Sequence, residues 1–118
     1  MPRITRNAAT VFALIYQRYR RSVLDGVSDT RSRYIGDSYD VIRLFDLDMD
    51  VEQVSRILFQ LSRYDLISAQ VGNNIANECE LTDDGIALME SLPFDLSAKI
   101  LKHAGPAVLD AIIAAISG

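Results

Sequence analysis

Residues 50–82 carry the pattern that most restricts the fold. Val51, Val54, Leu58 and Leu61 recur at i, i+3, i+7 and i+10, which is one apolar face of a helix over 51–64. Asp50, after the turn Asp48-Met49-Asp50, is a good N-cap for it. The period then changes from helical to extended. Leu66 to Val71 and Ile75 to Leu81 read as two short strands around Gly72-Asn73-Asn74, residue types that tolerate the positive φ of a hairpin turn. Thr82 caps the next helix, Asp83 to Leu92, with two acids in its first turn where the helix dipole favours them, and Pro93 ends it. A helix that runs into a hairpin and out into another helix must pack its apolar face against whatever precedes it.

What precedes it is helical. Thr5 can cap a first helix running to about Leu24 and stopped near Gly26, with the stripe Ala8, Phe12, Ile15, Tyr16, Tyr19 and Val23 on one side. Leu14 and Leu24 lie off that stripe and call for a covering element. Ser28 opens a short turn or helix through Tyr34, closed by Gly36. Ser38 then caps a short helix from Tyr39 to about Phe45. At the other end, a last helix is expected from about Leu96 to Ser117, kinked at Gly105-Pro106.

The expected fold is mainly α with a two-stranded β-hairpin. The order helix, short helix, turn, helix, hairpin, helix is that of a winged helix-turn-helix, in which helices 39–45 and 51–64 form the helix pair and the hairpin is the wing. Residues 1–95 would form this domain. Residues 96–118 would form an apolar C-terminal helix that packs on it, mediates self-association, or both. Several stretches support the same assignment by resemblance. Val51-Glu52-Gln53-Val54-Ser55-Arg56-Ile57-Leu58-Phe59-Gln60-Leu61-Ser62-Arg63-Tyr64-Asp65-Leu66-Ile67 resembles the third helix and first wing strand of small winged-helix proteins of bacteria and prophages. Leu81-Thr82-Asp83-Asp84-Gly85 resembles their Leu-Thr-x-x-Gly step out of the wing. Arg21 with Gly26, Ser28, Tyr34 and Gly36 resembles an uncharacterised, often prophage-encoded subgroup. The resemblance covers roughly residues 19–90 and implies a fold. Function does not follow from it, because the fold serves DNA readers and protein-contact modules alike.

Charge narrows the partner. The 118 residues carry a net charge of −4, but the first 33 hold seven arginines against Asp25 and Asp29 alone. An acidic chain with a basic first third speaks against broad nonspecific nucleic-acid binding and leaves room for one local anionic contact. The lone cysteine, Cys79, rules out an internal disulfide, and the first residues lack a signal-peptide apolar stretch. A cytoplasmic protein is expected.

Three surfaces are candidates. The outer side of helix 51–64 would present Glu52, Gln53, Ser55, Arg56, Phe59, Gln60 and Arg63. Gln53, Arg56, Gln60 and Arg63 suit base edges or phosphates, whereas an outward Phe59 suits a protein contact, unless the chain itself covers it. The wing argues against DNA: Tyr64 to Leu81 contains Asp65, Glu78 and Glu80 and neither Lys nor Arg. The second candidate is the arginine cluster Arg18, Arg20, Arg21, Arg31 and Arg33, a patch for phosphate or an acidic partner, or simply the internal counterpart of the acids in the second half. The third is the C-terminal helix. Its Leu101, Val108, Leu109, Ile112, Ile113 and Ile116 lie among apolar residues occupying most of the circumference, too many for one small domain to cover. They point to a two-fold homodimer, with burial in a monomer core or contact with a membrane surface as the alternatives. The run is too short, and too interrupted by Asp110 and Gly105-Pro106, for a membrane span.

No catalytic constellation emerges. His103 is the only histidine, and Cys79 stands between Glu78 and Glu80, which would raise a thiol pKa. Asp46, Asp48, Asp50 and Glu52 alternate superficially like a calcium loop, but Val51 stands where such a loop needs glycine. The expectation is a noncatalytic, homodimeric interaction protein without metal or cofactor, of phage or bacterial accessory type, blocking a host protein being one possible role. The competing expectation is a dimeric regulator of double-stranded DNA.

Overall fold

The computed structural model describes residues 4–92 and 106–117. Six helices and a three-stranded antiparallel sheet lie among them: α1 Arg6–Leu24, α2 Asp29–Arg33, β1 Tyr34–Gly36, α3 Ser38–Phe45, α4 Val51–Arg63, β2 Ile67–Gly72, β3 Ile75–Leu81, α5 Asp83–Glu90 and α6 Pro106–Ser117. The expected start of the last helix at Leu96, Leu101, His103 and Gly105 of the expected kink lie outside the described residues, and Pro106 is the first residue of α6. None of the helices is long and apolar enough to cross a membrane, as judged on the described residues.

Local chemistry starts most of these helices. The side chains of Thr5, Ser28, Asp50 and Thr82 each accept a backbone N–H from the first turn they open. Asp50 and Gln53 close a reciprocal capping box on α4. The cap of α3 departs from expectation, because Asp37 holds the position expected for Ser38. Asp37 accepts the Asp40 N–H while the Asp40 carboxylate accepts the Asp37 N–H. That backbone hydrogen bond, followed by Arg43, holds the Asp40 carboxyl below its ordinary pKa.

Ser38 is thereby released for a different task. Its side chain is buried, and its hydroxyl accepts the Ala76 N–H at 3.1 Å and lies 3.4 Å from the Ala76 carbonyl, to which it donates. Strand β1 pairs with β3 only as far as Gly36 opposite Cys79. Ser38 therefore takes both backbone groups of Ala76 where β1 no longer reaches, and its Oγ lies 2.7 Å from that of Ser55 on α4. One buried polar contact ties α3, α4 and β3 together. Ser55, expected on the outer side of α4, is only 4% exposed for this reason. Ser38→Ala leaves a buried Ala76 N–H without its acceptor and is expected to cost about 2 kcal/mol, against about 1 kcal/mol for Ser55→Ala, by urea denaturation. Equal and negligible effects would show that the contact carries no stability.

The sheet order is β1-β3-β2, so the expected two-stranded hairpin is the larger part of a three-stranded sheet. Strand β1 falls where a turn or helix was expected through Tyr34. Three residues carry no alternation to read, and only the pairing of Tyr34 with Glu80 and Gly36 with Cys79 makes them a strand. The hairpin turn has Asn73 and Asn74 both at positive φ, as a two-residue turn that follows the strand twist requires. A bulge lies further along β3, where the register shifts between Ser68 and Gln70 and Glu78 sits at φ 51°.

Helix α1 is the centre of the core. Besides Ala8, Phe12, Ile15, Tyr16 and Tyr19 of the expected stripe it buries Ala9, Val11, Ala13 and Gln17, so most of its circumference is covered. It packs against α4, α2 and α6. Leu14, which called for a covering element, is half-buried against the core, whereas Leu24 remains 64% exposed. Val54, Leu58 and Leu61 of α4 are fully buried, and Val51 is half-buried at the helix start.

Candidate interaction surface

The outer side of α4 forms one wall of a groove. The first residues of α1 form the other. The groove has a volume of about 280 Å³ and is lined by Thr5, Asn7, Met49, Gln53, Arg56, Ile57, Gln60 and Arg63. Four of the five residues expected to contact a macromolecule therefore share one concave surface. The fifth, Phe59, is absent from the lining and packs half-buried against the core. One residue along a helix is a rotation of about 100°, which carries Phe59 past Gln60 to the edge of the groove side of α4, next to Arg56 and Arg63. Phe59 is thus partly covered by the chain itself and partly exposed beside the groove. Thr5, Asn7 and Met49 were not foreseen, because nothing local shows that the start of α1 lies beside the middle of α4.

The polar groups of the groove are engaged to different degrees. Gln53 accepts the Asp50 N–H at 3.1 Å within the capping box. The Thr5 hydroxyl donates to Gln60 Oε1 at 3.5 Å. Arg56 meets Glu52 at 3.1 Å in an i,i+4 pair whose two side chains are largely exposed, an arrangement of small energetic weight. Arg63 is exposed and forms no ion pair among the described residues.

The arginine cluster of the first third divides. Arg33 bonds Asp29 at 2.8 Å and Asp83 at 2.6 Å, bridging α2 to the start of α5. The bond to Asp83, then that to Asp29, raises its pKa further. Tyr19 donates to the same Asp29 at 2.5 Å. Burial, then this carboxylate, pushes the phenol up to about 12, while the phenolic donor, followed by Arg33, holds the Asp29 carboxyl down. Arg18 donates to the Tyr34 carbonyl at 3.2 Å and steadies β1. Arg33 and Arg18 are thus engaged within the chain. Arg21 and Arg31 are exposed and Arg20 is half-buried, none with an ion pair among the described residues.

Of the residues expected to mediate self-association, Leu101 lies outside the described residues and the other five pack to different degrees against the core of the chain. Ile112 is fully buried, and Val108, Leu109, Ile113 and Ile116 pack half-buried against the same core. Helix α6 lies on α1 and α5, so Ile112 is a core residue of the single chain rather than part of an open face. The physical reason is the near-complete coverage that α1 demands.

Cys79 is fully buried on β3, and burial, followed by Asp37 and Glu78, pushes its thiol up to about 12. It is an inert core residue at neutral pH. Among the described residues no group of three or more His, Cys, Asp or Glu is placed to hold a metal ion. Asp46 instead ends α3 in the left-handed conformation and Asp50 caps α4. No protein-family model matches this chain, and no curated protein and no solved structure does so either.

Proposed function

We propose that this chain is a noncatalytic, protein-binding module of winged-helix type that meets its partner through the α4 groove. What supports the fold reading is the order α1, α2, β1, α3, α4, β2, β3, α5, in which the helix pair α3–α4 runs into the hairpin β2–β3. In this reading α3 and α4 are the helix pair and β2–β3 is the wing, to which β1 adds a third strand.

The observation that carries the choice of a protein partner is the charge of that hairpin. Glu78 and Glu80 are exposed on the hairpin that packs beside α4, Asp65 is exposed in the turn leading into it, and no Lys or Arg stands between Tyr64 and Leu81. A duplex seated on α4 would bring phosphates towards these carboxylates, yet phosphate contacts carry much of the affinity for DNA. The partner surface is placed on α4 rather than on α6, whose Ile112 is already enclosed.

A second reading, a regulator of double-stranded DNA, is favoured by one observation: Gln53, Arg56, Gln60 and Arg63 converge on a single groove. Anisotropy of a labelled mixed-sequence duplex at about 50 mM and about 200 mM salt separates the two. The expected result is no saturable binding at either salt, together with a protein adduct from a photo-crosslinker placed at Gln60. Tight, steeply salt-dependent duplex binding that Arg63→Ala weakens would assign the face to DNA instead.

A further inference from the structure

We infer that the segment of the partner seated in the α4 groove is an acidic peptide stretch carrying one apolar side chain, an inference that rests on the protein-binding reading above. The groove has a charge and a floor. Arg56 and Arg63 line it and no carboxylate does, although the chain as a whole is acidic. A guanidinium presents its donors in a planar fork that fits a carboxylate in two-point contact. Arg63 forms no ion pair among the described residues, and the exposed Glu52–Arg56 pair is one that an incoming carboxylate can exchange.

Met49 and the nearly buried Ile57 supply the apolar part of the lining. Asn7 and Gln60 add amides able both to donate to and to accept from a peptide backbone. Helix α1 begins at this groove with no acidic residue in its first turn, so its positive end reinforces the attraction for an anion. The volume of about 280 Å³ falls just below the range of about 300–1,000 Å³ that accommodates a small-molecule ligand. It suits one inserted side chain with flanking carboxylates. Phosphate is the weaker candidate, because the stretch from Tyr64 to Leu81 that follows α4 offers a nucleic acid Asp65, Glu78 and Glu80 and no Lys or Arg.

The test is a titration of the isotope-labelled full chain, followed by amide chemical shifts, with the blocked pentapeptide Glu-Glu-Leu-Glu-Glu. Controls carry Ser for Leu, or Lys for every Glu. Saturable shifts are expected at Asn7, Arg56, Gln60 and Arg63. Binding should weaken by about fivefold in Arg63→Gln, the loss of one exposed charge contact. It should weaken again with the Ser peptide and vanish with the Lys peptide. Arg63 is exposed, so this variant keeps its fold. No saturable shifts at these residues, or shifts indifferent to Arg63→Gln or to peptide charge, would overturn the inference. A protein adduct at Gln60 with no response to the acidic peptide would overturn this inference alone and leave the protein-binding reading standing. Shifts produced only by duplex DNA would overturn both.

Discussion

Ile112→Asp is expected to release α6 from α1 and to abolish or severely weaken cooperative folding. Ile112 is fully enclosed, and the four half-buried residues around it on α6 pack against the same core. An aspartate there must either bury its charge among apolar side chains or pull the helix off. Either route costs about 4 kcal/mol or more, a large part of the roughly 5–15 kcal/mol that holds a domain of this size together. The surface pair between Arg6 and Asp110, 2.7 Å apart and largely exposed on both sides, cannot hold α6 in place by itself.

Two measurements resolve the outcome. Amide exchange over residues 106–117 reports the docking of α6, and the reaction of Cys79 with a thiol reagent reports opening of the core around β3. In the wild type both should be slow, since Cys79 is fully buried with its thiol pushed up to about 12. In the variant the amide protection should disappear, and the thiol should react as the whole domain loosens. A variant of unchanged stability that merely passes from dimer to monomer would instead place Ile112 on a contact between copies.

Gly85→Ala is expected to be nearly as damaging, for a reason of space alone. A Cβ at Gly85 would lie 2.2 Å from the Leu66 carbonyl oxygen and 3.0 Å from its carbon. Those are backbone atoms, so no side chain can turn aside. The approach is enforced by Thr82, whose hydroxyl donates to the Asp65 carbonyl at 2.5 Å and whose N–H reaches the Leu66 carbonyl at 3.3 Å, while its oxygen caps Gly85 at 3.0 Å. Thr82 therefore holds the start of α5 against the start of the hairpin, and only hydrogen fits between them. Forcing a methyl group in is expected to cost about 3 kcal/mol and to lower the melting temperature by roughly 10–15 °C.

Gly26→Ala provides the contrast. At φ +89° it is strained, but a Cβ there meets nothing within 4 Å, so it should cost about 1 kcal/mol. If the two substitutions prove equally costly, steric contact with Leu66 does not explain Gly85. This geometry also gives a physical account of the Leu81-Thr82-Asp83-Asp84-Gly85 stretch. Thr82 is required as a double anchor and Gly85 as the residue that permits the approach.

What the amino-acid sequence determines by itself is local. The caps at Thr5, Ser28, Asp50 and Thr82, the stripe Val54, Leu58 and Leu61, and the Asn73-Asn74 turn all follow from interactions within a few residues, so they can be read without knowing what packs on them. The tertiary structure decided the rest, because each remaining feature depends on a partner distant in the chain. Three residues become β1 only by meeting Glu80 and Cys79. Ser38 gives up the expected cap and Ser55 the expected outer face because each finds the other, 17 residues away, beside Ala76. Arg33 is drawn out of the arginine cluster by Asp83, 50 residues on. Ile112 becomes core because α1 needs cover on the side that α4 leaves open. The groove is of the same kind. Gln53, Arg56, Gln60 and Arg63 share a helix side that periodicity reveals, but Thr5, Asn7 and Met49 join them only because α1 crosses α4, and side-chain spacing along one helix carries no record of the neighbour against which it will close.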